Sequence, residues 1–198
     1  DYDRVMRDLF KPLLNQCIHW FTRNKVYESP ETVCLLDCIM NALTDAKSDR
    51  HLRTDAALHL REFLAWSIKQ TSVENMKHRP YNPKSIFKRL YTMWIHPDPY
   101  KRYGACLAFN HLCPVFREEE SLVDAFTFEM CYHVFVCLAM THDETKRVDV
   151  AMEANENVRH IVRIVKAKEK LFTNASQRRR MPPEGCFSGS TTDDFLKW

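Results

Sequence analysis

Apolar residues recur every three or four positions through most of this chain, the spacing that lines one side of an α-helix. Val5, Leu9, Leu13, Cys17, Trp20 and Phe21 mark such a face over residues 4–22. Ser29-Pro30-Glu31 reads as a helix start, with a serine cap, proline in the first turn and an acid against the dipole. Val33, Leu36, Ile39, Met40 and Leu43 carry the next buried stripe. After a link at 44–48, a helix over 49–69 faces Leu52, Ala56, Leu60, Phe63 and Leu64 inward. Residues 71–81 are polar and irregular. Asn82-Pro83 repeats the cap-and-proline start ahead of Ile86, Phe87, Leu90, Tyr91 and Trp94. Pro97-Asp98-Pro99 breaks and restarts the helix, which continues to Cys113, before Pro114. Helices over 118–140 and 144–171 follow. No segment reads as a strand, so the chain is all-α.

The pattern also repeats. Arg53-x-x-Ala56-x-x-x-Leu60 returns as Arg102-x-x-Ala105-x-x-x-Phe109, and more weakly from Asp143 with Arg147, Val150 and Ala154. The spacings are 49 and 45 residues, counted from Arg53 to Arg102 to Arg147. Helix pairs with a period of about 40–47 residues are the mark of HEAT and armadillo arrays. The alanine lets the second helix of a pair lie close to the first. A turn aspartate, Asp98 in the second copy, can cap that helix and pair with the arginine a turn later. The expected architecture is a HEAT/armadillo-like α-solenoid of stacked antiparallel helix pairs. Residues 1–171 form the repeats, with an unpaired first helix and pairs at about 30–69, 83–113 and 118–171. A basic Pro/Ser loop occupies 172–190, and 191–198 begins a further helix. A helical bundle with chance similarity between its turns is the plain alternative. The start inside a helical pattern and the lone helices at both ends suggest a piece from the middle of a longer array.

Composition narrows the chemistry. Only three glycines occur in 198 residues, Gly104, Gly185 and Gly189. Phosphate loops, nucleotide-binding turns and nucleophile elbows need glycine where backbone meets ligand. Gly104 alone lies in the helical body, so none of these can be built. The net charge of +3 does not by itself call for nucleic acid. No apolar run reads as a membrane span, and no leader is evident. The eight cysteines, at 17, 34, 38, 106, 113, 131, 137 and 186, lack a C-x-x-C. Most fall on apolar faces, as buried thiols in a reducing compartment do.

Four long runs carry a resemblance. They are KPLLNQCIHWFTRNKVYESPETV (11–33), REFLAWSIKQ (61–70), NPKSIFKRLYTMWIHPDPYKRYGACLAFN (82–110) and FREEESLV (116–123). They resemble the phosphatidylinositol-3-kinase-related kinases over residues up to about 128, in a mid-chain HEAT-repeat segment. The resemblance implies a parent that is a nuclear, DNA-activated serine/threonine kinase of non-homologous end joining. It implies as partners the rest of the parent kinase chain and, through the assembly, the Ku heterodimer and double-stranded DNA ends. It implies no cofactor and no membrane. The kinase H-R-D and D-F-G motifs are absent, so no catalytic residue is assigned here and the segment reads as non-catalytic scaffold. An independent helical adaptor that binds a partner peptide or helix is the alternative.

Candidate sites are few. Arg178, Arg179 and Arg180 form a run in a loop that can meet phosphates or serve nuclear import, or simply be solvated. Lys84, Lys88, Arg89 and Lys101 form a second basic set, with Arg102 reserved for Asp98. Kinases of the resembling family favour serine before glutamine, which makes Ser176 a candidate phosphosite. Cys34 with Cys38, and His133 with Cys137, have two-ligand spacing, but a structural zinc takes four, so no metal site is assigned. His19, His111 and the acids Glu118, Glu119 and Glu120 read as structural or helix-capping.

Overall fold

The computed structural model describes residues 2–22, 29–78, 81–141, 148–174, 176, 178–183 and 193–194. Among them are nine helices and no strand: α1 (Tyr2–Phe21), α2 (Pro30–Thr44), α3 (Arg50–Gln70), α4 (Val73–His78), α5 (Tyr81–Trp94), α6 (Pro99–Phe116), α7 (Glu120–Ala139), α8 (Val150–Ala167) and α9 (Glu169–Phe172). Consecutive helices pair as α2–α3, α5–α6 and α7–α8. The second members stack in a row, α1 on α3, α3 on α6 and α6 on α8, and α5 packs on α7 in the other layer. This is the two-layer stack of an α-helical repeat.

Local chemistry sets the starts. Ser29 accepts the Thr32 amide at 3.3 Å with Pro30 behind it, Asp49 accepts that of Leu52 at 2.7 Å, and Asp98 that of Tyr100 at 2.9 Å. Asp149 does the same for Met152 at 2.8 Å. Glu119 caps α7 through the Ser121 amide at 3.3 Å. Elsewhere packing overrides the local signal. Residues 73–78, expected irregular, form α4. Asn82 lies inside α5 and donates to the Ser67 hydroxyl at 3.3 Å instead of capping. Helix α6 runs through Pro114 to Phe116, because the buried Phe116 ring holds the last turn in the core against Phe87 and Phe109. Helix α7 is apolar and long enough to pass for a membrane span on composition, yet most of it is core.

Of the repeat positions, the alanines and large apolar residues are buried. Ala56, Leu60, Ala105 and Phe109 are buried in one continuous core with Trp94, Phe87, Phe116 and Phe126. Phe109 meets Trp94 and Phe116 edge-on at 5.8 and 5.9 Å. Gly104 marks a close helix approach, since a Cβ there would lie 2.7 Å from the Leu43 carbonyl oxygen on α2. Both repeat arginines are buried and reach back to the end of the preceding helix. Arg53 donates to the Asp45 carbonyl at 2.8 Å and lies over the Tyr100 and Tyr103 rings. Arg102 donates to the His96 carbonyl. Asp98 spends its carboxylate on the cap. Of the weaker third copy, Val150 and Ala154 are buried, whereas Asp143 and Arg147 lie outside the described residues.

Helix α1 departs most from expectation. Val5, Leu9, Leu13 and Trp20, assigned to its buried side, are 64, 65, 52 and 70 % exposed. Its inner side is mainly polar: Lys11 pairs with Asp55 at 2.9 Å, Asn15 with His59 at 2.9 Å, and His19 with Glu62 at 2.6 Å. The His19 ring stacks on Trp66 at 3.9 Å, and the Trp66 indole donates to the His19 carbonyl. Ile18 is the one α1 residue wholly inside the core among those described. Leu52 on α3 is likewise exposed rather than inward.

Candidate nucleic-acid interface

The basic residues divide by what already holds them. Lys84 and Lys88 project from α5 into solvent. Arg89, expected to be available, instead pairs with Asp37 on α2 at 3.3 Å and donates to Ser85. Lys101 sits half-buried, its ammonium 3.4 Å from the His96 ring nitrogen.

The arginine run differs most from a solvated loop. Arg178 is exposed, but Arg179 is buried. Its guanidinium donates to Asp124 at 3.1 and 2.7 Å and lies over the Phe128 and Phe172 rings at 5.0 and 5.3 Å. Arg180 pairs with Glu129 at 3.2 Å, lies over Phe126, and donates its amide to the Ala125 carbonyl at 2.8 Å. Two charges of the three are therefore spent inside the protein. The physical reason is that α7 offers acids and aromatic faces together, and an arginine satisfies both. Ser176 is drawn into the same cluster and donates to Asp124 at 2.5 Å.

One cation from each basic set, Arg180 and Lys88, acts on Glu129. Burial pushes that carboxyl above its ordinary range, and the nearby Arg180 and Lys88 charges pull it back in part. Lys88 and Arg180 thus share one neighbourhood although they are far apart in sequence. Lys101 belongs instead to the α5–α6 turn, beside His96. The anchors Asp124, Phe128 and Glu129 escaped the sequence reading. The available signal was an acid and an aromatic four apart on one helix face, opposite a later arginine run.

Among the described residues, the cysteines and histidines show no ligand set. Cys34 and Cys38 are exposed, contrary to their placement in the core, while Cys106, Cys113, Cys131 and Cys137 are buried. Cys186 lies outside the described residues. Among the described residues, no three His, Cys, Asp or Glu side chains converge as metal ligands do. His133 stacks on Tyr91 at 4.5 Å, and burial holds its imidazole down to about 4. Burial also lowers His111.

Comparison with known proteins shows the family of the chain. The family model for the DNA-dependent protein kinase catalytic subunit, CC1/2, matches residues 1–198. The chain belongs to that family. It is 42 % identical over 182 residues to the DNA-dependent protein kinase catalytic subunit of Mus musculus, which covers 92 % of this chain and 4 % of the relative. The Gallus gallus protein of the same name is 43 % identical over the same coverage. That of Dictyostelium discoideum is 47 % identical over 145 residues, 73 % of this chain and 3 % of the relative. The chain thus spans about 4 % of the length of the curated relatives it matches. Within the DNA-dependent protein kinase catalytic subunit family, the residues described here are a stretch of helical repeat.

Proposed function

We propose that this chain is a non-catalytic scaffold segment of a nuclear serine/threonine kinase that repairs DNA double-strand breaks by non-homologous end joining. Its partners in that reading are the rest of the kinase chain and, through the assembly, the Ku heterodimer and double-stranded DNA ends. The observation that carries the reading is the outward apolar face of α1. A helix that docks by polar groups and turns Val5, Leu9, Leu13 and Trp20 to solvent fits a stack that continues onto further helices. The small share of the relatives' length supports the same view. Lys84, Lys88 and Arg178 are the cations best placed to face DNA phosphate, while Arg179 and Arg180 serve the fold.

The test uses Leu9→Asp with Leu13→Asp, made in the isolated segment and in the full-length kinase. In the segment both side chains are exposed, and its melting should hardly change. In the full-length kinase the face is covered, so Ku- and DNA-stimulated phosphorylation should fall while the KM for ATP stays. An unchanged full-length enzyme would mean that the face is free, as in an adaptor. Phosphoryl transfer by the segment alone would end the scaffold reading.

A further inference from the structure

Non-helical chain at residues 176 and 178–182 lies against α7, and one carboxylate does most of the holding. Asp124 Oδ1 accepts from Arg179 Nε and Nη2, and Oδ2 accepts the Ser176 hydroxyl at 2.5 Å. The Arg179 side chain has no exposed surface. It also donates to the carbonyls of Leu171 and Asn174 at 3.2 and 3.1 Å. A buried guanidinium is tolerated only while its counter-charge stays in place. Phe126, Phe128 and Phe172, beside these contacts, are each at most 1 % exposed. The clasp therefore joins an electrostatic lock to a covered aromatic face.

Ser176 is half-buried and outside any helix. Its hydroxyl works as a donor, giving its hydrogen to the same carboxylate that neutralises Arg179. A phosphate at that oxygen reverses the contact. It has no comparable hydrogen to give, and it brings about −1.5 to −2 charges and three acceptor oxygens against Asp124. Two anionic groups would then compete for one buried guanidinium.

We propose that Ser176 is a phosphorylation site whose modification unlatches Ser176, Arg179 and Arg180 from α7 and uncovers the Phe126, Phe128 and Phe172 face. A protein kinase and a nucleoside triphosphate supply the group. The bond from Ser176 Oγ to the γ-phosphorus forms, and the bond from that phosphorus to the bridging oxygen breaks. The nucleoside diphosphate leaves, and the hydroxyl proton passes to water. Arg178, exposed beside the serine, is free to follow the phosphate out into solvent. Arg180 then loses the backbone bond to Ala125 that fixes the strap's register.

Hydrogen exchange of the full-length chain tests this, comparing wild type, phosphoserine installed at 176 and Ser176→Ala. The Arg180 amide, bonded to the Ala125 carbonyl, is the reporter. Phosphoserine should speed its exchange by about tenfold or more, because the strap opens locally. Ser176→Ala should stay within about twofold of wild type, since Arg179 keeps its bonds to Asp124. Arg179→Ala sets the rate of the open strap. Exchange in the phosphoserine chain that is equal to or slower than wild type would overturn the proposal. So would finding the 176-containing peptide wholly unphosphorylated in kinase purified from cells with its own phosphatases inhibited.

Discussion

On one side α3 meets α1 through an ammonium, carboxylates, an amide and imidazoles; on the other it meets α6 through side chains that exclude water. The first joint holds Lys11–Asp55, Asn15–His59 and His19–Glu62; among the described α1 residues, Ile18 and parts of Leu14 and Phe21 join the core. The second belongs to the continuous core of Leu60, Phe63, Leu64, Phe109 and Leu112. Partly exposed ion pairs contribute about 0.2–1 kcal/mol each, whereas a buried phenyl ring contributes about 3–5 kcal/mol when lost to alanine. The lesson is that neighbouring layers of one stack need not be equally firm. The α1 joint responds to salt, and the α6 joint responds to shape.

The largest effect expected on the dry side is Phe109→Ala. It should lower stability by about 3–5 kcal/mol in denaturant melts. A loss below about 1 kcal/mol would show that the α6 joint does not depend on this ring.

Acid should next separate the α1 joint from the buried contact of α7 with α5, where His133 lies on Tyr91. His133 has its imidazole lowered by burial to about 4, from the ordinary 6.5. The unfolded chain therefore takes up the proton first. Stability is full above about pH 6.5 and is lost as pH falls toward about 4. His59 is also lowered by burial, with Lys11 acting the same way and Asp55 and Glu62 opposing. It shares the sign, and the opposing acids make its share smaller. Melts across this range should flatten more with His133→Phe than with His59→Gln. The reverse order would make the α1 joint the more acid-sensitive of the two.

The smallest effect belongs to Lys11→Ala. Its side chain is 40 % exposed, and removing the pair with Asp55 should cost about 0.2–1 kcal/mol. The loss should shrink in high salt. A salt-independent loss of several kcal/mol would erase the distinction between the joints.

Much of the fold was legible because its signals are local. Ser29, Asp49 and Asp98 announce helix starts within three residues of the amides they bind. The alanines and large apolar residues of the repeat announce burial by their spacing. What was not legible depended on partners distant in sequence. Periodicity shows that α1 has an apolar face, but it cannot show whether anything covers that face. The arginine run looked solvated because Asp124 and Glu129 lie about fifty residues before it, on a helix whose own pattern gives no hint of a strap. The stop before Pro114 failed because Phe116 gains more from the core than the last turn loses for want of one amide.

Gly104 has a bearing on scale. The backbone of α6 approaches the end of α2 so closely there that one methyl group would push the two apart. In a linear array each such crossing fixes a small rotation, and every later layer inherits it. A missing side chain at this point therefore acts as a setting for curvature. Even a slight change in the tilt of this joint swings distant parts of a long superhelix through an arc that grows with their distance from it.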